Sequence, residues 1–124
     1  MPKYEKILLI DDDEITNYIN ENLIESVGIG KQIATYKAAE KALNDIRDED
    51  EHPPTLILLD LKMPVFDGFD FLEDYNSLPA SIKKNLRLIV LTTSENPKDL
   101  KKLKELGDYE VIVKPLTQEN LSNI

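Results

Sequence analysis

Apolar runs in this chain repeatedly end in side chains that can do chemistry. The side chains at or directly after these ends are Asp11, Asp12, Asp60, Thr92 and Lys114. Two unit charges about 4 Å apart repel by roughly 4 kcal/mol at an effective dielectric constant of about 20, so converging carboxylates need a compensating cation. Mg²⁺ takes oxygen ligands and typically combines one or two carboxylates with a phosphate. The combination predicts a site where an aspartate meets a phosphoryl group across Mg²⁺, with Lys114 and Thr92 contacting the anion.

Five runs predict the strands that must position these side chains, at 6–10, 32–36, 55–60, 86–92 and 110–113. Helical periodicity lies between and after them, and this alternation favours a parallel sheet with helices on both faces. The runs ILLI, LILL and LIVL are continuously apolar, which is typical of strands covered on both sides. In a strand order of 2-1-3-4-5, the first and third strands flank the point where the order reverses, and ligands bind there.

The helices carry readable ends and apolar faces. Asp13 is a candidate N-cap for the first helix, and Gly28 is a candidate end. That helix is predicted to bury one face, formed by Ile15, Tyr18, Ile19, Leu23 and Val27. For the helix at 94–106, Asn96 is the expected N-cap, and the expected apolar stripe is Leu100, Leu103 and Leu106. The remaining expectations are a capping Thr117 in the last helix, a polar link at 79–85, and a surface position for the loop histidine, His52.

Composition narrows the class of protein. The chain has 124 residues, which fits one domain, and it contains no cysteine, which excludes disulfides and thiolate metal sites. Its formal net charge of −9 argues against nucleic acids and anionic membranes as partners. No window approaches the roughly 20 apolar residues of a membrane span, and the start of the chain lacks a secretory signal. We therefore expect a cytoplasmic protein.

Four motifs together resemble the receiver domain of two-component response regulators, of the chemotaxis type. They are LLIDDD, LILLDLKMPVFDGFDFL, IVLTTS and IVKPLT, and they span nearly the whole chain in order. The resemblance implies that residues 1–124 form a single receiver domain. It also implies an α/β fold: a doubly wound, five-stranded parallel sheet of order 2-1-3-4-5 in a flavodoxin-like three-layer sandwich.

The resemblance further implies how the acidic residues divide the chemistry. Asp60 would be the phosphoacceptor, receiving a phosphoryl group from a phosphohistidine on a sensor histidine kinase or phosphotransfer protein. Asp11 and Asp12 would hold Mg²⁺ (or Mn²⁺) together with Asp60 and the backbone carbonyl of Lys62. The side chains of Lys62 and Ser94 would flank the path of attacking water and set the lifetime of the phosphoryl group.

Switching is the second implied property. Thr92 and Lys114 would contact the phosphoryl group, and the bond from Lys114 to Pro115 would be cis. The output would be contact with a downstream protein through the face formed by the helix at 94–106, the strand at 110–113 and the last helix. Receivers usually carry an aromatic residue three positions before the lysine. Val111 stands there instead, so coupling is expected through Tyr109 or through the loop at 92–96.

Two other functions remain open at this stage. A receiver-like scaffold that signals without phosphorylation fits the missing aromatic residue. A phosphatase of the haloacid-dehalogenase type fits the D-x-D spacing, with Asp11 as nucleophile and Asp13 as acid or base. The phosphatase hypothesis leaves Asp60 unexplained, and the chain is short for a cap domain. We expect a signalling phosphoacceptor rather than an enzyme.

Overall fold

In the computed structural model, residues 2–93 and 96–124 are described. The strands are β1 (Tyr4–Ile10), β2 (Gly30–Tyr36), β3 (Thr55–Asp60), β4 (Leu86–Thr92) and β5 (Glu110–Val113). The helices are α1 (Glu14–Val27), α2 (Ala39–Arg47), α3 (Gly68–Asn76), α4 (Ala80–Lys83), α5 (Pro97–Leu106) and α6 (Gln118–Ser122). The role expected of Ser94 lies outside the described residues.

The sheet is parallel throughout, with the strand order β2-β1-β3-β4-β5. This confirms the predicted order, and β1 and β3 are neighbours in register, with Leu9 opposite Leu58. All six residues of β3 are buried, in keeping with a central strand covered on both faces. The reversal of strand order therefore lies between the carboxyl ends of β1 and β3.

Helices cover both faces, which gives the predicted three layers. Alternation along β1 sends Leu8 and Ile10 to one face, where they pack with residues of α2, α3, α4 and α5. Ile7 and Leu9 point to the other face, against α1 and α6. Side chains buried to this degree contribute roughly 1.5–3 kcal/mol each to folding. The two cores hold the strand ends in fixed positions.

The prediction for the buried face of α1 was wrong for three of its five residues. Ile15, Tyr18 and Ile19 are 70%, 58% and 60% exposed, while Asn17 and Asn20 are buried. The cause is a polar contact at the strand ends: Asn17 Nδ2 donates to the backbone oxygen of Asp11 at 2.8 Å. That contact turns the helix, so that only Ile24 and the partly buried Leu23 and Val27 reach the core.

Three smaller expectations were wrong in part. Leu100 is 44% exposed, because only Leu103 and, in part, Leu106 of the α5 stripe face the core. The polar link contains the short helix α4, which buries Ile82. The side chain of His52 is only 7% exposed, since its Nε2 bonds the backbone oxygen of Ile46 at 2.8 Å.

The predicted helix ends are confirmed. Asp13, Asn96 and Thr117 each accept a backbone hydrogen bond at the N-terminus of their helix. Gly28 ends α1 with φ of 78°, a left-handed conformation that favours glycine. Throughout residues 2–93 and 96–124, the helices are too short or too polar to cross a membrane.

Candidate functional site

The carboxylates predicted for metal binding come together at the carboxyl edge of the sheet. Asp60 is the last residue of β3, and Asp11 and Asp12 directly follow β1. One carboxylate oxygen from each lies within 4.8 Å of the others. Asp11 and Asp60 are buried, whereas Asp12 is exposed. The cluster thus combines two buried carboxylates with one that is open to solvent, an arrangement suited to a hydrated cation.

Local hydrogen bonds hold Asp11 in place. Its Oδ1 accepts from the backbone N–H of Asp13 at 2.9 Å, and its own N–H donates to the backbone oxygen of Tyr36 at 3.0 Å. Asp13 in turn caps α1 through Ile15 and bonds the Thr16 hydroxyl at 3.0 Å. Asp13 is therefore committed to the helix start, which separates it from the three clustered carboxylates.

Lys114 joins the two buried carboxylates. Its Nζ lies 2.6 Å from Asp11 Oδ2 and 3.3 Å from Asp60 Oδ1. The backbone N–H of Lys114 donates to the backbone oxygen of Thr92 at 3.0 Å, which ties the ends of β5 and β4 together. The Lys114–Pro115 bond is cis, as predicted, and Thr92 is buried beside this junction. All five predicted side chains therefore share one edge of the sheet.

The buried carboxylates of Asp11 and Asp60 repel each other, and a further cation at this edge would offset the repulsion. Burial raises the pKa of Asp60, and the negative charge of Asp11 raises it further, against the opposing effects of Lys114 and a backbone hydrogen bond from Lys62. For Lys114, burial acts to lower the pKa, but the hydrogen bond to Asp11 and the charge of Asp60 outweigh it and raise the pKa. Lys114 is thus held as a cation, and one ammonium faces more carboxylates than it can neutralise.

The loop after β3 brings its backbone to the same place. The backbone N–H of Lys62 acts to lower the pKa of the Asp60 carboxyl, while the Lys62 side chain leaves the site and pairs with Asp99 of α5 at 2.9 Å. Gly68, the first residue of α3, donates its N–H to the backbone oxygen of Leu61 at 3.0 Å. A reciprocal capping box with Asp67 fixes this helix start.

Sequence reasoning did not single out Asn17, Asn76 or Asp99 as parts of this region. Asn17 lies on α1, where the spacing of the apolar residues predicts a different buried face. The sequence therefore does not indicate that Asn17 is buried. Asp99 lies in the first turn of α5, where an acidic residue is ordinary, and its partner lies in another loop. Asn76 ends α3, and nothing local marks its contact with Tyr109.

The region around the unusual Val111 is tied to α3. Tyr109 donates its hydroxyl hydrogen to Asn76 Oδ1, and Asn76 Nδ2 donates to the backbone oxygen of Leu106 at 2.8 Å. Tyr109 and Val111 line the same cavity of about 230 Å³ beside Leu103. Tyr109 therefore lies on the same side as Val111, and through Asn76 it is connected to the ends of α3 and α5.

Replacing Asp12 with alanine should weaken Mg²⁺ binding while leaving the fold intact. Asp12 is the exposed member of the cluster, so its loss removes a candidate ligand and relieves repulsion without opening a cavity. We expect affinity to fall at least on the order of tenfold, measured by calorimetric titration. Asp13→Asn is the control, because asparagine also caps helices. Marked destabilisation of metal-free Asp12→Ala would contradict this account of the cluster.

A doubly wound sheet with buried carboxylates and a lysine at its switch point defines a known class of signalling domain. Residues 7–124 match the family model described as "Response regulator receiver domain". The chain belongs to this family, and it is a receiver domain of the two-component type.

Named relatives agree with this assignment. The chain is 29% identical over 116 residues to a probable C4-dicarboxylate response regulator of Halalkalibacterium halodurans, covering 94% of this chain and 47% of that protein. It is 26% identical to a probable chemotaxis protein CheY of Rhizobium etli, covering 94% and 85%. A crystal structure of a response regulator receiver protein from Dyadobacter fermentans superposes with a TM-score of 0.85 at 26% identity, covering 96% and 93%. This chain thus spans about half of the first of these relatives.

Proposed function

We propose that this chain is a single receiver domain, residues 1–124, that takes a phosphoryl group on Asp60. The observation that carries the proposal is the position of Lys114 Nζ between the carboxylates of Asp11 and Asp60. A lysine held there neutralises the charge that develops as a phosphoryl group reaches Asp60. The proposed protein is a signalling phosphoacceptor with self-phosphorylation and self-dephosphorylation chemistry only.

The transfer step uses the side chains as follows. An Asp60 carboxylate oxygen attacks phosphorus as the bond from phosphorus to the imidazole nitrogen of a phosphohistidine breaks. The imidazole leaves with the bonding electron pair, and Lys114 holds a phosphoryl oxygen. The Thr92 hydroxyl bonds another phosphoryl oxygen and biases the end of β4 toward one arrangement.

Mg²⁺ (or Mn²⁺) fits the donor set. Asp11, Asp12 and Asp60 offer hard carboxylate oxygens within 4.8 Å of one another, and the Lys62 carbonyl is the further proposed ligand. When bound, the ion supplies charge neutralisation between the carboxylates and the phosphoryl group. Burial and the charge of Asp11 raise the pKa of Asp60, which marks a site that favours an added cation.

The phosphodonor is proposed to dock over α1. Ile15, Tyr18 and Ile19 form an exposed apolar surface on this helix. Ile19 also lines a cavity of about 280 Å³ together with Lys114 and Pro115. A sensor histidine kinase or phosphotransfer protein that covers this surface brings its phosphohistidine to the site edge, in the cytoplasm.

Output is proposed through the flank formed by α5, β5 and α6. Leu100 is exposed on α5, and Val111 and Val113 are exposed on the edge strand β5, so this flank offers apolar surface to a target protein. Tyr109 lies behind it and reaches Asn76. Phosphorylation shifts the population of arrangements of this flank through Thr92 and Lys114.

Incubation with a small-molecule phosphodonor and Mg²⁺, followed by intact mass measurement, tests the proposal. The wild-type protein should gain one phosphoryl group, and Asp60→Asn should gain none. Asn has nearly the same shape and keeps the fold, so it is a matched control. Modification mapped to Asp11 would favour the phosphatase hypothesis. Absence of modification with every donor would favour a phosphorylation-independent scaffold.

A further inference from the structure

Lys62 contacts the phosphoacceptor and α5 at the same time. Its backbone N–H acts to lower the pKa of the Asp60 carboxyl, and its Nζ lies 2.9 Å from Oδ2 of Asp99. The ammonium also lies 6.0 Å from the ring centroid of Phe69 in α3. One residue therefore spans the site, the loop after β3 and the first turn of α5.

The two ends of this ion pair differ in environment. The Lys62 side chain is 60% exposed, whereas the Asp99 side chain is 14% exposed. Asp99 lies in the first turn of α5, where the helix dipole stabilises a carboxylate independently of its lysine partner. The lysine is thus the mobile member, and the carboxylate is the fixed one.

We propose that Lys62 is a positioning residue that exchanges its ammonium between Asp99 in the free protein and the phosphoryl group on Asp60. This inference rests on the proposed phosphoacceptor role of Asp60. A phosphoryl group adds about −1.5 to −2 charges and three strong acceptor oxygens. Lys62 is only two residues from Asp60, so its flexible side chain can turn from Asp99 to an anion on Asp60.

The exchange couples the site to the output flank. In the free protein, the pair ties the loop after β3 to the first turn of α5. Transfer of the ammonium to the phosphoryl group releases that tie and leaves Asp99 at the helix start. This gives the chain a charge-driven link to α5 that does not need an aromatic residue at Val111.

The affinity for beryllofluoride, a phosphoryl analogue, in the presence of Mg²⁺ tests the exchange. The variants are Lys62→Met, Asp99→Asn and the double variant, compared with wild type by calorimetric titration. Asp99→Asn should bind on the order of three- to fivefold more tightly, the upper range for partly exposed ion pairs, because the ammonium no longer has to leave a partner. Lys62→Met should bind more weakly, and the double variant should match Lys62→Met.

Asp108→Asn is the matched control, since it removes one exposed carboxylate just after α5 and should bind like wild type. Equal affinities of wild type and Asp99→Asn would overturn the exchange but not the phosphoacceptor role of Asp60. The exchange would also be overturned if Asp99→Asn tightened binding in the Lys62→Met background. Tighter binding by Asp108→Asn would overturn it as well. If Asp99→Asn does not fold, Lys62→Met decides the matter, and unchanged affinity there would overturn the exchange. Failure of the wild type to bind beryllofluoride would overturn the phosphoacceptor role of Asp60 and the exchange with it.

Discussion

Lys114→Met should be destabilised by about 3 kcal/mol in metal-free buffer, the usual cost of removing one partner of a buried, hydrogen-bonded ion pair. The ammonium lies 2.6 Å from Asp11 and 3.3 Å from Asp60, and its loss leaves these two buried carboxylates facing each other. Methionine retains most of the aliphatic stem, so the effect isolates the charge. Urea unfolding in the presence of a chelator measures it.

Mg²⁺ should counteract this loss of stability in Lys114→Met. Removing Lys114 makes the site more negative, so the variant should bind Mg²⁺ more tightly than the wild type. Mg²⁺ should also raise the free energy of unfolding of the variant by more than that of the wild type. Phosphoryl uptake should nevertheless fall, because the ammonium of Lys114, which lies between Asp11 and Asp60, is no longer present to hold the transferred group.

Lys31→Met provides the comparison. Lys31 forms an exposed ion pair with Glu5 at 3.6 Å, far from the site, and its loss should change stability by less than about 0.5 kcal/mol. The prediction is contradicted if metal-free Lys114→Met is as stable as Lys31→Met. Burial of the Asp11 and Asp60 carboxylates would then not require the charge of Lys114.

The sheet could be predicted because its signals are local. The runs at 55–60, 86–92 and 110–113 coincide with β3, β4 and β5. A continuously apolar run has few alternatives to a strand covered on both faces. Because parallel strands end at one edge, Asp11 and Asp60 had to meet once the order of β1 and β3 was known.

The orientation of α1 could not be predicted from periodicity. Its apolar residues favour one face, but Asn17 satisfies the backbone oxygen of Asp11 at the strand end, and this contact turned the helix. As a result, three apolar side chains of α1 are exposed, and hydropathy alone does not predict this. This exposed surface supports the proposed docking of the phosphodonor on α1.

Contacts between distant elements were invisible for a different reason. Lys62 with Asp99, and Tyr109 with Asn76, join residues more than thirty positions apart through side chains that are ordinary in their own segments. His52 is another case, because its burial depends on where the α2 carbonyl of Ile46 ends up. Each of these requires the packed fold before the partner can be named.

Gly68→Ala should damage both the fold and the phosphoacceptor site. A Cβ on Gly68 would lie 2.5 Å from the backbone oxygen of Asp60 and 2.6 Å from Cα of Leu61. These are backbone atoms of β3 and the residue after it, so no flexible side chain can move aside. We expect a loss of about 1–3 kcal/mol, the usual range for forced overpacking.

Gly68 differs from a glycine with only a structural role, because Gly68→Ala should also lower phosphoryl uptake. Relief of the clash must shift α3 or the end of β3, and a displacement of about 1 Å at a reacting group can cost on the order of 10²-fold in rate. Gly28→Ala is the matched control: its φ of 78° makes alanine unfavourable by about 1–2 kcal/mol, but the space around it is open. Both variants should lose stability, and only Gly68→Ala should lose phosphoryl uptake, measured by intact mass under conditions where both are folded. Equal uptake by the two variants would mean that the position of Asp60 does not depend on the close approach of α3.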